Sequence, residues 1–139
     1  MNPDQIALVQ HSFAKVLPIA DTAATLFYTR LFELDPTTRV LFHGDMHTQG
    51  RKLMDMLRIV VNGLRRLEDL LPAVQSLGRR HATYNVEAHH YATVGAALIW
   101  TLRQGLGESF TPDVETAWAT AYNILATTMQ AATLAVASV

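Results

Sequence analysis

Apolar residues recur along this chain at intervals of three and four, and runs of strict alternation are scarce. That is the signature of amphipathic helices rather than strands. Ile6, Val9, Phe13, Val16 and Leu17 form one such stripe. It follows Asn2-Pro3-Asp4-Gln5, which reads as an N-cap, a proline at the first helical position, an acidic residue and a capping-box glutamine. Pro18 ends this helix, and a second runs from about Ile19 to Leu34 with Ala23, Leu26, Phe27 and Leu31 inward and Tyr28 beside them. Asp35-Pro36 stops that helix and caps a short third one reaching Phe42.

After a connector, His43-Gly44-Asp45-Met46-His47, the pattern predicts a long helix from about Thr48 to Leu67, with Asp45 or Thr48 as its cap. Its apolar face is Leu53, Met56, Leu57, Val60, Val61 and Leu64, and its polar side is marked by Arg51, Lys52, Asp55, Arg58, Arg65 and Arg66. Asn62-Gly63 inside that helix costs about 1 kcal/mol and marks a candidate close contact with another helix. Glu68-Asp69 reads as the next break, with Pro72 in the first turn of a helix covering Leu70 to Val86. Two more follow: Glu87 to Leu106, ended by Gly107, and a last one capped by Thr111-Pro112-Asp113 that runs through Trp118, Tyr122, Leu125 and Met129. The expectation is an all-α fold of about six substantial helices, a globin-like packing or another helical bundle, which periodicity alone does not separate.

Composition narrows the class. With 139 residues the chain reads as one domain, residues 1–139, with enough length to bury a core. A formal net charge of -1 offers no electrostatic case for nucleic acid or an anionic membrane. The absence of cysteine removes disulfides and thiolate metal sites. The N-terminus lacks a basic-then-apolar leader, and the most apolar stretches fall short of the ~20 residues of a membrane span. A cytoplasmic protein is expected.

Candidate chemistry centres on His81. Leu70, Val74, Leu77 and His81 share one face of their predicted helix, which sets an imidazole in line with an apolar stripe while Arg79 and Arg80 point to water. Such a histidine is either a core residue bonded to a backbone carbonyl or a metal ligand. Tyr28 puts a phenol on an apolar face, and Gln49 lies one turn before Leu53 on the same side of the long helix. A phenol and an amide facing a pocket whose far wall carries a histidine suit a metal-bound ligand that develops negative charge. The other histidines carry less. His43 and His47 sit in a glycine-containing connector, His11 lies on the polar side of the first helix, and the adjacent His89 and His90 are not expected to share a helical face.

In order along the chain stand Leu26-Phe27-Tyr28, Leu31-Phe32, Asp35-Pro36, Val40-Leu41-Phe42, Gln49 with Arg51-Lys52-Leu53-Met54, Gly78-Arg79-Arg80-His81, His90-Tyr91-Ala92-Thr93-Val94-Gly95 and Ala117-Trp118-Ala119-Thr120-Ala121-Tyr122. This ordered set, from about Gln5 to Met129, resembles the globins, in particular bacterial single-domain haemoglobins similar to the globin domain of flavohaemoglobins. The resemblance implies a globin fold and haem b (iron protoporphyrin IX) with His81 as the proximal iron ligand. It implies that Tyr28 and Gln49 form the distal hydrogen-bonding pair, and that Phe42 packs flat on the porphyrin. Leu53, Leu57, Leu77, Val86, Val94 and Leu98 would complete the haem surroundings. Tyr91 would support the proximal imidazole, and Lys52, Arg79 and Arg80 are candidates for pairing with the propionates. In the family a glutamate on the last helix acts with that tyrosine. Here the matching position is Thr133, a departure that lowers the expected basicity of the imidazole.

The resemblance implies reversible binding of oxygen, nitric oxide or carbon monoxide at a pentacoordinate iron. The competing expectation is a nitric oxide dioxygenase. The chain up to Val139 holds no glycine-rich phosphate-binding loop, so that cycle would draw electrons from a separate reductase. A sensor role would call for an output segment, and none is legible.

Overall fold

The computed structural model describes residues 1–42, 44–83 and 86–137, without the side chains of residues 83 and 133–137. Six α-helices occur among them: α1 (Pro3–Val16), α2 (Ala20–Leu34), α3 (Met46–Asn62), α4 (Leu67–Thr83), α5 (Ala88–Leu106) and α6 (Pro112–Ala137). Short 3-10 turns at Leu17–Ile19, Pro36–Leu41, Leu64–Arg66 and Gly107–Ser109 join them, and no strand occurs among the described residues. The all-α expectation holds.

Local chemistry explains most boundaries. The capping box of α1 is made, with Gln5 N–H donating to Asn2 Oδ1 at 2.8 Å and Asn2 N–H to Gln5 Oε1 at 3.2 Å. Pro18 turns the chain through a 3-10 turn, which leaves Leu17, expected inside, 42% exposed and removes Ile19 from α2. Asp35 accepts from Thr37 N–H, and the short third helix is of the 3-10 kind. Asp45 is the cap of α3, taking the N–H groups of His47 and Thr48 at 3.2 and 3.3 Å. The helix therefore starts before Thr48, and His47 belongs to it rather than to the connector.

The larger correction lies between α3 and α4. Gly63 ends α3, its N–H donating back to the carbonyls of Ile59 and Val60, and a 3-10 turn follows where the periodicity had continued the helix to Leu67. The apolar period survives across the turn because Leu64 still points inward, and so the break is invisible to it. Glu68 and Asp69, expected to be a break, occupy the first turn of α4, where carboxylates complement the helix dipole. Pro72 stands inside α4, and the helix ends at Thr83 instead of reaching Val86.

Packing divides the apolar residues into two clusters. The larger joins α1 (Val9, Phe13), α2 (Phe27, Tyr28, Leu31), α3 (Met54, Leu57, Val61), α5 (Leu98, Leu102) and the first half of α6 (Ala117, Trp118). The smaller joins Val74 of α4, Tyr91 of α5 and Ala126 and Met129 of α6. In the larger cluster the buried Trp118 indole donates to Ser12 Oγ at 2.8 Å, and Ser12 passes its own hydrogen to the Leu8 carbonyl at 2.7 Å. Its polar atoms are thus paired where water is excluded. α4 packs chiefly on α6, and α2 chiefly on α5.

Candidate haem site

His81 stands in the last turn of α4 with its ring half-buried. Its Nδ1 lies 2.8 Å from the Leu77 carbonyl oxygen, which can only accept, so Nδ1 carries the hydrogen and Nε2 keeps a lone pair. Burial holds its pKa below the ordinary 6.5 and outweighs the Leu77 bond, which acts in the opposite direction; Arg80 adds a smaller depression. The result at neutral pH is an uncharged imidazole of defined tautomer whose Nε2 lone pair has no hydrogen-bond partner among the described residues. That is the form a metal ligand takes.

Three residues before His81, at Gly78, α4 comes directly against the main chain of α6. A Cβ on Gly78 would lie 2.5 Å from the Met129 carbonyl oxygen and 2.6 Å from Met129 Cα. The bare backbone at Gly78 thus sets how closely the His81-bearing helix approaches α6.

Tyr28 comes from the middle of α2 and is buried. Its ring meets Phe27 and Phe42 edge-on, at centroid distances of 5.0 and 5.2 Å, and stacks near Phe32 at 6.1 Å. Its hydroxyl donates to the main-chain carbonyl of Gln49 at 3.3 Å. Burial pushes the phenol pKa up to about 12, so it remains a proton donor across the neutral range. The structure therefore brings Tyr28 and Gln49 together through the backbone of α3's first turn. Leu53 and Leu57 follow on α3, and Val94 and Leu98 on α5; with Tyr28 and Phe42 they all belong to the larger apolar cluster.

Leu77, Val86 and Tyr91 belong to the smaller one. Tyr122 of α6, which sequence reasoning did not single out as a site residue, donates its hydroxyl to the Tyr91 carbonyl at 2.6 Å and so ties α5 to α6 at this point. Burial raises the Tyr122 pKa well above the ordinary phenol range, and the neighbouring Tyr91 raises it further. Among the described residues no hydrogen bond joins Tyr91 to His81, whose Nδ1 is engaged by Leu77. The Thr133 side chain and His43 lie outside the described residues. Lys52, Arg79 and Arg80 are exposed, as are His11 and His47.

Comparison with known proteins decides the family. The Globin family model matches residues 25–129, a span that holds Tyr28, Gln49 and His81. The chain belongs to the globin family. Among its relatives is the flavohemoprotein of Bordetella parapertussis, 31% identical over 129 residues, which covers 91% of this chain and 32% of that protein. The flavohemoprotein of Vibrio cholerae is 32% identical over 103 residues, covering 72% of this chain and 26% of that protein. The neuroglobin of Danio rerio is 31% identical over 118 residues, covering 75% of this chain and 74% of that protein. The chain thus spans about a third or less of the length of these flavohemoproteins.

Globin membership supports the binding of haem and of a gaseous ligand. The residues present fit such a group. This globin offers an imidazole nitrogen with no hydrogen-bond partner among the described residues on one element, a buried phenol donor on another, and apolar side chains from both clusters. No described helix is long and apolar enough to cross a membrane.

Proposed function

We propose that this globin, as one domain over residues 1–139 and in the cytoplasm, holds haem b through Nε2 of His81 and binds oxygen and other diatomic gases reversibly. The observation that carries the proposal is the placement of His81: Nδ1–H committed to the Leu77 carbonyl, Nε2 without a hydrogen-bond partner among the described residues, and burial that disfavours the charged ring. When bound, haem would supply a ferrous iron able to take up a diatomic gas.

The chain's own residues do the rest. Leu77 fixes the imidazole orientation. Phe42, Leu53, Leu57, Val94 and Leu98 from the larger cluster, and Val86 and Tyr91 from the smaller, would hold the porphyrin against apolar side chains that exclude water. Tyr28 is the hydrogen-bond donor to a ligand that gathers negative charge, and such charge-assisted bonds are about twice as strong as neutral ones. Its bond to the Gln49 carbonyl is long, at 3.3 Å, so turning the hydroxyl towards a ligand gives up little. Gln49 supplies a second polar group on the same side.

The test is the visible spectrum of the purified protein with and without His81→Ala. The intact chain is expected to be coloured, with a five-coordinate ferrous spectrum that changes on adding carbon monoxide. The variant is expected to lose the native proximal bond, and an unaltered spectrum in the variant would overturn the assignment.

A second reading, nitric oxide dioxygenation with a separate reductase, is favoured by the similarity to proteins named flavohemoprotein across 91% of the chain. Stopped-flow mixing of the oxygenated protein with nitric oxide decides it. Rapid nitrate formation, repeated when a reductase is supplied, supports the enzyme, and a single turnover with no route back to ferrous iron leaves gas binding.

A further inference from the structure

At the junction where α2 ends and α5 begins, a carboxylate oxygen of Asp35 and ring nitrogens of His89 and His90 all lie within 4.8 Å of one another. Asp35 is far in sequence from the adjacent His89 and His90, and the three differ in setting, His90 being buried, Asp35 half-buried and His89 exposed. Each is already held by its neighbours. Asp35 Oδ1 accepts from the Thr37 N–H at 3.0 Å and from the Thr37 hydroxyl at 2.5 Å, which leaves Oδ2 outside the turn. Those bonds keep the carboxylate ionised, chiefly the one from the Thr37 hydroxyl, with His90 and His89 adding smaller contributions. His89 Nδ1 is 3.3 Å from Glu87 Oε2, so its hydrogen faces a carboxylate and Nε2 carries the lone pair. A carboxylate behind an imidazole in this way orients the ring and raises its basicity towards a metal. His90 is placed by the Glu87 N–H, which donates to its Nδ1 at 2.8 Å. The two imidazoles, although adjacent in sequence, lie with centroids 4.1 Å apart at the first turn of α5.

We propose that Asp35, His89 and His90 form a binding site for a divalent transition metal of the zinc class, separate from the haem. Two imidazole nitrogens and one carboxylate oxygen favour zinc, nickel or copper over magnesium and calcium, which prefer all-oxygen shells. Around a tetrahedral zinc with bonds of about 2.0–2.1 Å, ligand atoms stand about 3.3 Å apart. The groups therefore need to close by up to about 1.5 Å, and the exposed His89 side chain has the freedom to do so. Water completes the coordination, and the nearby Glu87 carboxylate adds charge compensation.

The site has a built-in cost. With Nδ1 of His90 accepting from the Glu87 N–H, the neutral ring carries its hydrogen on Nε2. Ligation through Nε2 moves that hydrogen to Nδ1 with no net proton release, and the bond from the Glu87 N–H is given up. Metal binding therefore loosens the N-terminal cap of α5, the helix that also carries Tyr91, Val94 and Leu98. This predicts weaker affinity than at a site whose ligand nitrogens are uncommitted.

The experiment is calorimetric titration of zinc into the protein as purified, with long-range imidazole nitrogen NMR on its carbon monoxide form. Expected are one zinc per chain, shifts of Nε2 in His89 and His90, and faster exchange of the Glu87 amide. His89→Ala, at an exposed position, and Asp35→Asn, which keeps the acceptor for Thr37, should each weaken binding about tenfold or more while circular dichroism and the Soret band stay unchanged. Zinc affinity unaltered in both variants, which would place the ion at another histidine such as His11 or His47, overturns the proposal. So does an absence of zinc binding at millimolar concentration.

Discussion

Replacing Gly78 with alanine isolates the feature that sets the position of His81. The added Cβ would stand 2.5, 2.6 and 2.9 Å from the carbonyl oxygen, Cα and carbonyl carbon of Met129, whereas ordinary contact begins at about 3.4 Å. α4 and α6 must then part by about 0.9 Å. All three atoms are main chain inside α6, so no side-chain rotation relieves the clash. Overpacking of this kind costs about 1–3 kcal/mol, and a backbone clash belongs at the upper end. Against it stands a helix-propensity gain of about 1 kcal/mol for alanine over glycine. The net is a loss of about 2 kcal/mol. An unfolding entropy of about 2.1 cal/mol/K per residue over 139 residues converts this to a fall in Tm of about 7 °C.

The assay is thermal unfolding by circular dichroism, with Gly105→Ala as control. At Gly105 the nearest atom to a new Cβ is Ile19 Cδ1 at 3.5 Å, an ordinary contact, so that variant should melt at or slightly above the wild-type temperature. In the haem-loaded protein, Gly78→Ala should also shift the iron–histidine stretching band, because His81 follows on the next turn of the same helix. A Gly78→Ala protein that melts no lower than wild type, with the band unmoved, would refute the reasoning.

Two further outcomes follow from the tyrosines. Tyr28→Phe removes the hydroxyl that faces the Gln49 carbonyl and should raise the oxygen dissociation rate of the haem-loaded protein about tenfold or more; an unchanged rate in flash photolysis or stopped flow would remove Tyr28 from the site. Tyr28 also has a folded pKa near 12 against 10 for the free phenol, so it holds its proton more tightly in the folded chain. It therefore contributes stability that is complete below pH 10 and is lost as pH rises from 10 towards 12. Tyrosinate absorbance should accordingly lag in the folded protein at pH 11, and should reach the full count of four tyrosines only on unfolding.

The elements were legible where a cap or a proline marks them. Asn2 with Gln5, Asp35-Pro36, Gly107 and Thr111-Pro112 fall at or next to observed boundaries, because each acts on backbone groups within a few residues. The turn between α3 and α4 escaped notice because Leu64 keeps the apolar phase through a 3-10 segment, and periodicity reads phase rather than hydrogen bonding. The face shared by Leu77 and His81 was visible, since an i, i+4 relation is a local fact, and their bond confirms it. What Tyr28 touches was not, because its partner is a main-chain carbonyl of another helix. Gly78 and the Asp35–His89–His90 group were hidden for the same reason. Both arise from tertiary approach of segments far apart in the chain, and no spacing rule reaches across that distance.

The division of the apolar residues into two clusters separates two rates that a gas-binding protein must control. Residues on the Tyr28 side, such as Phe42 and Leu53, belong to a core knitted from five helices, whereas Val74, Tyr91, Ala126 and Met129 form a thin lobe resting on the α4–α6 pair. That lobe can open as a local unit at a free energy below that of global unfolding. On the proposed placement of haem between the two clusters, cofactor retention would follow how often the smaller cluster opens, and gas escape how often the larger one does. Mutations in the two lobes could thus adjust cofactor lifetime and ligand lifetime independently.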